Sequence, residues 1–121
     1  MAKTVLIVDD SATMRAMVAD VLRGGGYDVV AAIHGADALQ KVAGRGVQAV
    51  ITDFNMPVMG GLELIEKLRA KPEFRFTPIL VLTTETEDSM KNRGKAAGAT
   101  GWVTKPFDPA RLIQVVNRLA A

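Results

Sequence analysis

The chain has 121 residues, 49% of them hydrophobic and 23% charged, with a net charge of +2. This suits one cored domain, expected over 1–121, and argues against both a disordered chain and the strong basic stripe of a nucleic-acid binder. Without cysteine there is no disulfide, thiolate metal site or cysteine nucleophile, and only four consecutive apolar residues precede the first acids, so a cytoplasmic protein with no membrane partner is expected.

Five short apolar runs alternate with amphipathic stretches. Residues 4–9 (TVLIVD) read as the first strand, followed by a helix whose stripe is Met14, Met17, Val18, Val21 and Leu22 and which stops at Gly24-Gly25-Gly26. Residues 27–32 form the second strand, and Leu39, Val42 and Ala43 mark a weaker second helix. Residues 47–52 form the third strand, followed by a helix built on Leu64, Ile65 and Leu68 that ends before Pro72. Residues 78–84 form the fourth strand. The fourth helix, roughly 88–97, rests on Met90 and Ala97 and is weakened by Gly94, at a cost of about 1 kcal/mol. Residues 101–104 form the fifth strand, and Asp108-Pro109 caps a last helix carrying Leu112, Val115, Val116 and Leu119. Strands one, three and four are almost continuously apolar, as strands covered on both faces are. Five strand–helix repeats of this kind predict an α/β, doubly wound parallel sheet with helices on both faces.

In such sheets ligands bind beyond the carboxyl ends of the strands. Asp9 and Asp10 end strand one, Asp53 ends strand three and Thr83-Thr84 end strand four, so these groups share one edge. Crowded carboxylates repel each other unless a cation compensates, and Mg²⁺ accepts one or two carboxylates, waters and a phosphate. Lys105, after strand five, adds a positive charge at the same edge. The set suits phosphoryl transfer onto a carboxylate, with Asp53 as the nucleophile.

The segments VDDSATMR, ITDFNMPVMGGLELI, VLTTE and GATGWVTKPF stand in register where response-regulator receiver domains carry their phosphorylation-site motifs. The chain resembles that family over essentially its whole length, and within it the single-domain chemotaxis regulators. The resemblance implies a flavodoxin-like (βα)5 fold with strand order 2-1-3-4-5. It further implies Asp53 as phospho-acceptor, Asp10 as a direct Mg²⁺ ligand, Asp9 as a ligand through water and the carbonyl of Asn55 as another. Thr83 would be the switch hydroxyl, Lys105 the partner of a phosphoryl oxygen, and Lys105-Pro106 a cis peptide bond. Trp102 would be the aromatic that follows activation, filling space vacated by Thr83. A chemotaxis-type histidine kinase is the implied donor and a flagellar motor switch protein a candidate output partner, with the chain a monomer and not an enzyme in the ordinary sense.

Three positions depart from the family pattern: Trp102 replaces a more familiar tyrosine or phenylalanine, Gly60 an aspartate, and Asp88 a lysine on the fourth-helix surface. Gly60 is expected to give the loop after Asp53 extra freedom. Three other functions draw on the same residues. A phosphate sink in the same pathway uses the same site. An aspartate-based phosphohydrolase needs a second acid at position 11, where serine stands. A flavin-type carrier of this fold class would set a phosphate against three acids. His34, the single histidine, is assigned no chemistry.

Overall fold

The computed structural model describes residues 2–120. Strands β1 (Thr4–Val8), β2 (Asp28–Ala32), β3 (Ala49–Thr52), β4 (Ile79–Thr83) and β5 (Gly101–Thr104) alternate with helices α1 (Ala12–Gly24), α2 (Gly35–Lys41), α3 (Gly61–Arg69), α4 (Asp88–Ala97) and α5 (Pro109–Leu119). One 3-10 turn, Pro72–Phe74, precedes β4. The five strands are all parallel, in the order β2-β1-β3-β4-β5. This is the expected doubly wound, flavodoxin-like architecture.

The continuous apolar runs hide an alternation of period two. Leu6 and Val8 of β1, Val50 of β3, and Ile79 and Val81 of β4 join one core cluster, with Leu64, Ile65 and Leu68 of α3. Their neighbours Val5, Ile7, Ile51, Leu80 and Leu82 point the other way, onto Val18 and Leu22 of α1 and Leu112 and Val116 of α5. Each such fully buried aliphatic side chain contributes about 1.5–3 kcal/mol of transfer free energy. Both sheet faces are therefore covered, α2, α3 and α4 serving one and α1 and α5 the other.

Helix ends follow local chemistry. The Ser11 hydroxyl accepts the Met14 N–H at 3.2 Å to start α1, and the Asp108 carboxylate accepts the Ala110 N–H at 3.3 Å to start α5. The start of α2 is capped by His34, whose Nδ1 accepts the Asp37 N–H at 3.1 Å, while Asp37 returns the favour by accepting the Ile33 N–H at 2.9 Å. That backbone bond and the nearby Lys41 hold the Asp37 carboxyl below its ordinary value, against a smaller opposing effect of burial. A histidine is thus the structural cap of the short helix, with no part in the acidic site.

Several expectations need correcting. Met17 is 50% exposed, because it lies roughly 140° around the helix from Leu22, at the flank of the buried stripe; Ala19 is buried instead. The second helix ends at Lys41, so Val42 is its buried C-cap and Ala43 is exposed. Gly60 is the N-cap of α3 with φ −78, an angle open to any residue. The left-handed position in that loop is Val58, with φ +66.

The fourth helix is held at its far end. Gly98 ends α4 with φ +119, and Arg69, at the end of α3, donates from Nε and Nη2 to its carbonyl at 3.1 and 2.8 Å. The Arg69 Nη1 also donates to the carbonyls of Phe74 and Thr77, each at 2.7 Å. Partial burial lowers the guanidinium pKa from its ordinary value. Arg69→Met would take the guanidinium from the carbonyls of Gly98, Phe74, Arg75 and Thr77, of which Phe74 keeps the Thr77 N–H, and urea unfolding is expected to show a loss of about 2 kcal/mol. A loss below a few tenths would mean that water replaces the guanidinium without cost.

Candidate functional site

The sheet register builds the site. Val8 of β1 pairs with Thr52 of β3, and the ladder runs one residue further: the Asp53 N–H donates to Val8 O at 2.9 Å and the Asp9 N–H to Ala32 O at 3.1 Å. Asp9 and Asp53 are therefore neighbours by backbone pairing, before any side chain acts. Asp9 is 4% exposed, the Asp53 side chain 12%, and Asp10 opens to solvent. Carboxylate oxygens of the three all lie within 4.8 Å of one another.

Lys105 follows β5, and its N–H donates to Thr83 O at 2.8 Å, which fixes the start of its side chain. The ammonium then reaches Asp9 Oδ2 at 2.8 Å and Asp53 Oδ2 at 3.0 Å. Burial works against its charge, but the hydrogen bonds to Asp9 and Asp53 and their negative charges outweigh it, so its pKa is raised above the ordinary lysine value. The stability this pairing contributes is therefore fully present below the unfolded-state lysine pKa and is lost as pH rises through the raised value. The other oxygens are held by backbone, Asp9 Oδ1 by the Ser11 N–H at 2.9 Å and Asp53 Oδ1 by the Phe54 N–H at 2.6 Å. Arg15 reaches back from α1 to the Asp9 carbonyl at 2.8 Å.

Three carboxylates against one ammonium leave two negative charges in a cluster whose donors are all oxygen. That composition fits a hard divalent cation such as Mg²⁺. Asn55 lies exposed on the loop two residues beyond Asp53. Thr83 ends β4 at the same edge, is 1% exposed, and its hydroxyl oxygen accepts the Glu85 N–H at 3.3 Å. The Lys105-Pro106 peptide bond is cis.

Trp102 lies on β5, half-buried against the core cluster shared with Phe54. Its ring is 5.2 Å from that of Phe54, and its indole N–H donates to the Glu85 carbonyl at 3.0 Å. The ring rests on Gly94 of α4, where an added Cβ would lie 2.9 Å from Trp102 Cζ3. The glycine that weakens the helix thus makes room for the tryptophan. Asp88 is exposed at the first turn of the same helix.

Residues 5–117 match the family described as the response regulator receiver domain. The chain belongs to that family. It is 42% identical over 106 residues to the chemotaxis protein CheY1 of Helicobacter pylori, covering 86% of each chain. Its structure is similar to that of chemotaxis protein CheY4 of Vibrio cholerae, with a TM-score of 0.94 and 44% identity, covering 98% of this chain and 99% of that one. It is also similar to the receiver domain of a sensor histidine kinase from Pseudomonas aeruginosa PAO1, described with a magnesium ion coordinated in its active site cleft. There the TM-score is 0.91 and the identity 25%, over 99% and 98% of the two chains. The receiver is therefore a CheY-like member of the two-component signalling family, and no helix among its described residues is long and apolar enough to cross a membrane.

Proposed function

We propose that this receiver accepts a phosphoryl group on Asp53 from a chemotaxis-type histidine kinase, with Mg²⁺, and changes its affinity for a protein partner. The observation that carries the proposal is the lysine-bridged acidic cluster: Asp9, Asp10 and Asp53 within 4.8 Å, and Lys105 on two of them. A site of this kind suits an acceptor carboxylate better than turnover of an added substrate, since serine stands where a phosphohydrolase would place its second acid.

Asp9, Asp10, Asp53 and the Asn55 carbonyl would hold the Mg²⁺, which when bound neutralises the acids and screens the approaching phosphoryl oxygens. An Asp53 carboxylate oxygen forms the new bond to phosphorus as the P–N bond of the donor phosphohistidine breaks and its electron pair returns to the imidazole. Phe54 N–H and Lys105 hold the two Asp53 oxygens apart and oriented. Once one oxygen carries the phosphoryl group as an acyl phosphate, Lys105 keeps Asp9 and turns to a phosphoryl oxygen. The Thr83 hydroxyl accepts from Glu85, which leaves its proton free for another phosphoryl oxygen.

Output then travels along the β4–α4 segment. Thr83 holds Glu85 through its N–H, and Glu85 holds the Trp102 indole through its carbonyl, so a shift of the hydroxyl moves both. Trp102 and α4 form the face through which a protein partner reads the change. The resemblance to chemotaxis regulators makes a flagellar motor switch protein the candidate.

Acetyl phosphate supplies the test. With Mg²⁺ present, intact-mass analysis is expected to show one added phosphoryl group, mapping to the peptide that contains Asp53, and chelation by EDTA should prevent it. Uptake unaffected by EDTA, or mapping to another residue, would overturn the proposal.

A further inference from the structure

The loop after the acceptor holds a side chain in a costly way. The Met59 N–H donates to the Pro57 carbonyl at 2.7 Å, closing a three-residue turn with Val58 at its centre and φ +66. A γ-turn with a positive central φ is strained, and a β-branched residue is among the least suited to it. Val58 is also 79% exposed, so the strain leads to no burial. The turn is fixed from both sides. The Gly61 N–H closes the loop onto Phe54 O at 2.9 Å, and Met59 accepts the Gly35 N–H at 3.0 Å while its side chain packs where a Gly35 Cβ would lie. That last contact brings in the β2–α2 loop, whose Ile33 is itself 47% exposed.

We propose that Val58 is a docking contact for the protein segment that surrounds the donor histidine, an inference resting on the phospho-acceptor role of Asp53. The phosphorus must come within bonding distance of the Asp53 carboxylate, so a macromolecular donor has to cover the rim of this pocket. Val58 lies five residues beyond Asp53, on the loop that leaves β3 at that sheet edge, as an exposed apolar side chain. A donor of small size, such as acetyl phosphate, enters the pocket without touching the rim.

The difference between the two donors supplies the test. Val58→Asn removes the apolar contact but suits a positive φ, so the variant is expected to melt no lower than the parent, and by roughly 3–5 °C higher. Phosphoryl transfer from the phosphorylated histidine-bearing domain of a chemotaxis kinase should fall at least about fivefold, the loss of one modest contact, while uptake from acetyl phosphate stays within about twofold. Ile33→Ser should show the same donor-selective loss if the contact extends across both loops. Equal loss with both donors would place the effect in the pocket and overturn the proposal. Unchanged transfer, with or without a change of self-association in sedimentation, would also overturn it. Failure of the parent chain to take up phosphate from acetyl phosphate is a separate result, which would remove the acceptor role itself.

Discussion

Asp53→Asn is expected to lower phosphoryl uptake from acetyl phosphate by more than about 10³-fold, as loss of a nucleophile does elsewhere. The amide keeps the shape of the carboxylate but offers no anionic oxygen to phosphorus. One of two contacts must fail, because Oδ1 now accepts the Phe54 N–H and Oδ2 the Lys105 ammonium, and an amide has a single oxygen. Relief of repulsion with Asp9 and Asp10 offsets that loss, and Lys105 keeps its bond to Asp9. Urea unfolding should therefore shift by no more than about 1 kcal/mol. Stoichiometric uptake by the variant, seen by mass, would remove Asp53 from its role.

Gly61→Ala is expected to cost about 3 kcal/mol of stability, read by urea denaturation. A Cβ at this position would lie 2.3 Å from the Asp53 carbonyl oxygen and 2.9 Å from Phe54 Cα. Both are main-chain atoms at the end of a central strand, so no side-chain rotation relieves the overlap. The first turn of α3 would have to retreat from the sheet, or the Asp53 backbone would have to move. Phosphoryl uptake should fall as well, since the displaced backbone belongs to the proposed acceptor. A variant as stable as the parent would show that α3 slides freely on the sheet.

The fold was legible because its two signals are local. Apolar runs such as VLIV and PILVL mark strands covered on both faces, and the Asp108-Pro109 pair marks a helix start. The acids were legible for a similar reason: each follows directly on a strand, and parallel pairing carries Asp9 and Asp53 to the same edge. The features with no sequence signal depend on residues distant in sequence or in unusual roles. Arg69 reaches Gly98 across the gap between two helices, a contact no spacing rule predicts. His34 caps a helix where serine or aspartate is the usual signal. Valine gives no hint of a left-handed backbone, so the freedom expected at Gly60 goes unused, with φ −78 there, and the positive φ lies at Val58.

The pairing of Gly94 with Trp102 bears on attempts to engineer this domain. A designer seeking a firmer fourth helix would choose alanine at position 94, for a propensity gain of about 1 kcal/mol. The new methyl group would occupy the floor on which the indole lies, 2.9 Å from its nearest carbon. The substitution that looks safest by local rules would thus evict the indole from its seat on α4, so these two positions have to be redesigned together.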